Sequence, residues 1–219
     1  MDIRIDVSTL KRITDVNQER NIYVHSNPIA RDIFWQRIEK LFNYITEYTG
    51  NDALVLDFGG GSGVFAKSLC TFFNRVELVD LDTVCAEKIK NEFRLNNLKI
   101  ISSDIRSFTP LQKYDLVIAA DVLEHFKDLT VPLEFIHSNL KKDGLLMVSL
   151  PTENRLYEIG RKMIRKKKPV DHFHSSSNVI EFISSRGFKL LEKAYIPRYL
   201  VPVPLFEIVV FIKFPTRKR

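Results

Sequence analysis

Only two cysteines occur in 219 residues, Cys70 and Cys85. Both fall in segments with helical apolar spacing, so a disulfide framework is not indicated and a reducing cytoplasm is the expected setting. Long apolar runs are also missing. The longest, Tyr199 to Ile212, is interrupted by Pro202, Pro204 and Glu207 and is too short to cross a bilayer. The start Met1-Asp2-Ile3-Arg4-Ile5-Asp6 puts charges where a secretory signal needs an apolar stretch, so no leader is expected. No internal repeat, glycine-serine linker or low-complexity tract divides the chain. With 45% hydrophobic residues it can bury one substantial core, which predicts one domain over 1–219 rather than two.

Glycine is scarce, with eight in all, yet four crowd into Val55-Leu56-Asp57-Phe58-Gly59-Gly60-Gly61-Ser62-Gly63. This reads as a buried strand running into a turn that needs positive φ and a wall without Cβ atoms, so a ligand can reach the backbone. Apolar residues at Val64, Phe65, Leu69, Phe72 and Phe73 then follow helical period. Val76-Glu77-Leu78-Val79-Asp80 reads as a second strand ending in a carboxylate. Strand, glycine turn, helix, strand and terminal acid form a nucleoside-binding βαβ unit, in which the acid accepts hydrogen bonds from ribose hydroxyls. The glycine spacing narrows the ligand. A dinucleotide turn is G-x-G-x-x-G, but the sixth position from Gly59 is Val64, which argues against NAD and an oxidoreductase.

The pattern Asp57-x-Gly59-x-Gly61-x-Gly63 instead resembles motif I of the class I S-adenosylmethionine-dependent methyltransferases. Ser103-Asp104-Ile105 is similar to the family's adenine-contacting segment, and Tyr114 through Asp121-Val122-Leu123-Glu124-His125 to its fourth strand and following turn. Lys141-Lys142-Asp143-Gly144-Leu145 resembles the turn into its fifth strand. The resemblance implies S-adenosylmethionine as cofactor. It assigns Asp57 and the backbone of Gly59 and Gly61 to the methionine moiety, Asp80 to the ribose, and Asp104 with Ile105 to the adenine, and it places Leu81 among the cofactor-binding residues. Asp121 and Val122 should lie under the reacting methyl. Plainer readings stand beside these: Asp57 as a buried acid that organises the turn, Asp80 as a helix N-cap, and Phe58 as core.

Element spacing predicts a helix from Pro28 to about Gly50, capped by Ser26 or Asn27, after an irregular or partly helical arm over 1–25. Strands follow at 53–58, 76–80, 98–102, 114–120 and 144–150, with helices at 62–73, 82–95 and 128–140 between them. This alternation predicts an α/β fold with a doubly wound, mostly parallel sheet. A helix over 177–185 and two period-2 segments, 188–196 and 204–214, predict an antiparallel C-terminal hairpin that brings the sheet to seven strands, as in the family. In this division 1–50 is the arm and first helix, 51–150 the cofactor-binding core, 151–176 a substrate-facing insertion and 177–219 the closing unit.

Histidine offers the only general-base candidates. His125 lies one turn past Asp121 and is the first choice as the catalytic residue, with His172 and His174 behind it; each has the plainer reading of a pocket-lining side chain. Glu124, His125, His172 and His174 lack compact ligand spacing, so no metal is expected. The net charge of +6 is compatible with solubility or an anionic partner. Its strongest local source is Arg161-Lys162-Met163-Ile164-Arg165-Lys166-Lys167-Lys168, read either as a solvated face or as a lid contacting an anionic membrane or acceptor. Only Tyr157 lies near it, so the aromatic platform that nucleic acid needs is not evident. No motif of protein, DNA or rRNA methyltransferases follows strand four. Leu150 to Tyr157, Lys168 to His172 and Gly187-Phe188 look like the ubiquinone-biosynthesis-type branch, so a small or lipid-linked acceptor is expected, at oxygen first, in the cytoplasm or on the membrane periphery. A non-catalytic S-adenosylmethionine-binding protein is the remaining alternative.

Overall fold

The computed structural model describes residues 3–13, 22–152, 154, 172–197 and 204–214. The basic run at 161–168 and most of the expected insertion lie outside them. Seven strands form one sheet in the order β3-β2-β1-β4-β5-β7-β6. They are β1 (Leu54–Phe58), β2 (Arg75–Asp80), β3 (Leu98–Ser102), β4 (Tyr114–Ala120), β5 (Leu140–Pro151), β6 (Phe188–Ile196) and β7 (Phe206–Lys213). The first five run parallel to one another, whereas β7 is antiparallel to both β5 and β6. The expected hairpin is therefore present. Its second strand docks on β5 and its first becomes the edge.

Every residue of β1 is buried. A strand covered on both faces reads as an unbroken apolar run, which is why Leu54-Val55-Leu56-Asp57-Phe58 shows no alternation. One face carries α1 (Val7–Ile13), α2 (Pro28–Tyr48), α3 (Ala66–Phe72) and α4 (Val84–Phe93), packed on Val55, Leu78, Leu116, Ile118, Met147 and Val210. The other carries α5 (Thr130–Asn139) and α6 (Ser176–Ser185), packed on Leu56, Val117, Ala119, Val148, Val209 and Phe211. Successive strand residues thus feed opposite layers, as a pleat requires.

Asn27, one of the two expected caps, accepts hydrogen bonds from the N–H groups of Ile29 and Ala30 at 2.9 and 3.2 Å, ahead of Pro28 at the helix start. The helix expected from residue 62 begins instead at Ala66. Gly59, Gly61 and Gly63 all have positive φ. Residues 60–66 use turn hydrogen bonds, Gly63 N–H to Gly60 C=O and Ala66 N–H to Gly63 C=O, so the helix cannot start until the last glycine is passed.

The order places β1 and β4 side by side while the chain leaves β1 for β2 and β3 before returning. That is a topological switch point, where the loops after two neighbouring strands part and leave a crevice at their carboxyl ends. The loops there are the glycine turn after β1 and residues 121–125 after β4.

Candidate cofactor and acceptor site

The glycine turn is fixed from both sides. Gly59 donates its N–H to Val79 C=O at 2.8 Å, and Gly61 donates to the Asp80 carboxylate at 2.8 Å. A Cβ on Gly59 would lie 2.3 Å from the Val122 side chain, so the β1 and β4 loops meet here too closely for any other residue. Gly61 differs. A Cβ there would meet nothing nearer than 3.9 Å, and one of those two atoms belongs to Asp80. Space beside an acid, bounded by bare backbone, is a cradle for a ligand.

Asp80 accepts a second hydrogen bond from the N–H of Asp82 at 3.0 Å. Thr83 occupies the cap position of α4, so Asp80 is not that helix's cap. Its carboxylate organises the turn and keeps acceptor capacity on both oxygens. Leu81, beside it, is 74% exposed. Asp57 makes the opposite picture. Only 2% exposed, it has one carboxylate oxygen without a hydrogen-bond partner. Burial first, and the nearby Asp80 charge second, push its carboxyl up to about 7. The turn-organising bonds expected as one reading of Asp57 belong to Asp80 instead, because Asp57 lies beneath the turn.

Asp104 accepts from Arg106 through both carboxylate oxygens, at 3.0 and 2.6 Å, and this pairing first of all pulls it down to about 2. Ile105 packs at the edge of the α5–α6 core layer. Phe58 is buried against Phe126 and Phe135, with ring centroids 6.2 and 5.8 Å away, and so belongs to the core as its plainer reading has it.

On the β4 side, Asp121 has φ +55, donates its N–H to Ser149 C=O at 2.9 Å and accepts from the Ser149 hydroxyl at 2.8 Å. Its other carboxylate oxygen forms an ion pair with Arg37. Arg37 was invisible as a site residue in the sequence. It is 6% exposed, donates to the Tyr23 hydroxyl at 2.9 Å and lies over the rings of Phe34 and Phe206. Its one signal is position, since an arginine three residues after Phe34 and four before Leu41 falls inside the apolar stripe.

His125 closes the 3₁₀ turn Leu123–His125 and sits edge-to-face with His172, centroids 4.6 Å apart. Phe173 N–H donates to Glu124 C=O at 2.9 Å, which ties the two segments together. His174 is held elsewhere, with Nε2 3.2 Å from Lys127 C=O. Glu124, His125 and His172 therefore converge despite their scattered spacing, and His174 does not.

A buried, underpartnered carboxylate, a bare backbone cradle and a second acid at the next strand end fit a nucleoside that carries a cationic centre. A family model described as a methyltransferase domain matches residues 29–195. The chain belongs to this family, the class I S-adenosylmethionine-dependent methyltransferases, whose methyl donor is S-adenosylmethionine. A malonyl-[acyl-carrier protein] O-methyltransferase of Priestia megaterium is 24% identical over 170 residues, covering 76% of this chain and 62% of that protein. A ubiquinone biosynthesis O-methyltransferase of Rickettsia bellii is 27% identical over 128 residues, 56% of this chain and 50% of that one. The N-methyltransferase NodS of Bradyrhizobium japonicum, solved with S-adenosyl-L-homocysteine, superposes with a TM-score of 0.66 at 17% identity, over 94% of this chain and 97% of that chain. The chain spans less than two thirds of the length of the curated relatives it matches.

Proposed function

We propose that the protein transfers the methyl group of S-adenosylmethionine to a small or lipid-linked acceptor, at oxygen, and does so as a single domain over 1–219. One observation carries the reading: Asp57 is buried with an unpartnered oxygen directly under the glycine turn, 2.7 Å from where a Cβ would lie on Gly60, one residue before the open cradle at Gly61. An isolated buried carboxylate is costly unless a cation compensates it, and the methionine end of the donor brings that charge. When bound, the donor supplies a sulfonium methyl open to in-line attack. What the chain contributes is placement and exclusion of water.

Asp57 and the Gly59–Gly61 backbone hold the methionine moiety, Asp80 with Leu81 the ribose, and Asp104 with Ile105 the adenine. Asp121 and Val122 form the floor beneath the methyl, and His125 stands on the acceptor side. The two O-methyltransferase relatives support oxygen as the acceptor atom, and the first of them acts on an acyl-carrier-protein-linked group. The run at 161–168 gives the charge for peripheral contact with an anionic surface, and nucleic acid is disfavoured by its lack of aromatic neighbours. Among the described residues no helix is long and apolar enough to cross a membrane.

Titration calorimetry tests the cofactor. S-adenosylhomocysteine should bind and NAD should not, and Asp80→Ala should weaken binding by about 1.5–3 kcal/mol, the loss expected for hydrogen bonds to a charged acceptor. Micromolar NAD binding without a response to S-adenosylhomocysteine defeats the reading. For the surface contact, binding to anionic vesicles should fall steeply with salt and vanish when Arg165, Lys166, Lys167 and Lys168 become glutamine. Binding indifferent to salt would remove that part alone.

A further inference from the structure

Glu124, His125 and His172 form a cluster with the composition of a metal site: each offers one ligand atom, and these atoms all lie within 4.8 Å of one another. We propose that the three bind one divalent transition-metal ion, Zn²⁺ or a cation of similar preference, at the carboxyl edge of the sheet. This reverses the expectation drawn from sequence spacing. The three residues are brought together only by the docking of the 172–173 segment on the turn after β4.

Donor chemistry sets the class of ion. Two imidazoles and one carboxylate suit Zn²⁺, Mn²⁺, Fe²⁺ or Co²⁺, whereas Mg²⁺ and Ca²⁺ prefer sets made of oxygen. Glu124 is 1% exposed, so an ion held beside it is screened from bulk water on that side. The frame is short and specific. Glu124 and His125 are neighbours in one 3₁₀ turn, Phe173 N–H fixes the segment of His172 on Glu124 C=O, and the two imidazoles already lie edge-to-face at 4.6 Å. A tetrahedral ion with bonds of about 2.1 Å needs ligand atoms roughly 3.4 Å apart, so the cluster has to close by at most about 1.4 Å. Rotation of two half-buried imidazoles covers that distance.

Neighbouring groups are already committed. Asp121, three residues before Glu124, is held by Arg37 and Ser149, and His174 by Lys127 C=O. Among the described residues the ion has three protein ligands, which leaves a position for water or another oxygen, the arrangement of a reactive rather than a closed structural site. Glu124 lies two residues after Val122, whose side chain packs against the glycine turn at Gly59. What the ion does there rests on the transferase reading. An acceptor hydroxyl bound to it loses its proton to water more readily. Its oxygen then bonds to the methyl carbon as the carbon–sulfur bond breaks, the electron pair staying on sulfur. His125 is in that case a ligand and the ion replaces a general base.

The test uses the full chain, stripped with a chelator and titrated with Zn²⁺ by calorimetry and with Co²⁺ by visible absorption. One ion per chain should bind, with absorption bands of a four- or five-coordinate Co²⁺ carrying nitrogen ligands. His172→Asn and Glu124→Gln should each weaken binding at least about tenfold, while His174→Asn should not. Glu124 is buried and its variant can misfold, so His172→Asn, at a half-exposed position, decides the matter with circular dichroism as the control for folding. Failure of the wild type to bind either ion below millimolar concentration overturns the proposal, and so does His172→Asn binding as tightly as wild type. Titration of the same samples with S-adenosylhomocysteine separates the two claims: loss of nucleoside binding with the metal intact defeats the transferase reading, and the converse defeats the metal site.

Discussion

The two lips of the crevice are built in different ways. The glycine lip comes from one continuous segment, Asp57 to Asp80, whose parts meet through local turns and one strand pairing. The opposite lip gathers Arg37 from α2, Asp121 and Glu124–His125 after β4, Ser149 from β5 and His172 from before α6. The first needs only the βαβ unit to exist. The second needs the whole sheet and both helical layers in place, so a change at one of its members should reach the others. Chemistry that tolerates any acceptor-side design can share the first lip, while the second is where this chain becomes particular.

Arg37→Met should break that comparison most severely. It leaves the Asp121 carboxylate without its ion-pair partner in a site where the side chain is 22% exposed, and removal of one member of a buried pair costs roughly 3–5 kcal/mol. Urea unfolding should show the loss, and Arg37→Lys should recover only part of it because a lysine cannot reach Tyr23 and Asp121 together in the same planar fork. If Arg37→Met unfolds like wild type, the second lip does not depend on α2.

Gly59→Ala should come next, because this glycine joins the lips. A Cβ would sit 2.3 Å from Val122 on a backbone with φ +70. Left-handed backbone costs about 1–2 kcal/mol and overpacking about 1–3, so a loss of roughly 2–5 kcal/mol is expected in the same assay. The companion Gly59→Ala, Val122→Ala double variant should regain the overpacking share. No regain would place the defect in the backbone alone.

What the sequence disclosed follows the same division. That Asp57, the glycines and Asp80 lie together is legible because it depends on spacing within one stretch, and the parallel strands were placed to within a few residues because most of them are unbroken apolar runs. The start of α3 was not, since the positive-φ glycines consume the first turn that apolar periodicity assigned to a helix. Arg37 lies inside a helix that the spacing predicts, but no motif singles it out, and nothing local says that a half-buried aspartate waits across the fold. The approach of Glu124, His125 and His172 is likewise a product of tertiary contact. Linear spacing argued against it.

Asp57 allows the glycine lip to be tested by pH. Its carboxyl is raised in the folded protein to about 7, from 3.8, by burial and then by Asp80. A raised carboxylate opposes folding once ionised, so this residue should cost no stability below about pH 4 and progressively more as pH rises to about 7, after which the loss is complete. At 1.36 kcal/mol per unit the full loss is roughly 4 kcal/mol, and a buried asparagine amide left unpaired costs about 1–3 in its place. Asp57→Asn should therefore be the more stable protein at pH 8 by roughly 1–3 kcal/mol without ligand, while binding S-adenosylmethionine more weakly. Parallel stability curves for the two proteins between pH 4 and 8 would show that Asp57 is not the group being ionised.

Gly61→Ala should have the smallest effect on the fold and a large one on binding, which is what makes it informative. Its φ of +50 disfavours a side chain, but the new methyl meets no atom nearer than 3.9 Å. Stability should fall by only about 1–2 kcal/mol, the cost of the left-handed backbone alone. The methyl would occupy the space beside the Asp80 carboxylate that the proposed ligand needs, so affinity for S-adenosylhomocysteine should fall well beyond tenfold. Metal binding at Glu124, His125 and His172 should be untouched, because the glycine lip stays folded. A variant that loses stability like Gly59→Ala would mean the space at Gly61 is filled by the fold. One that keeps full nucleoside affinity would mean the cradle lies elsewhere along the crevice.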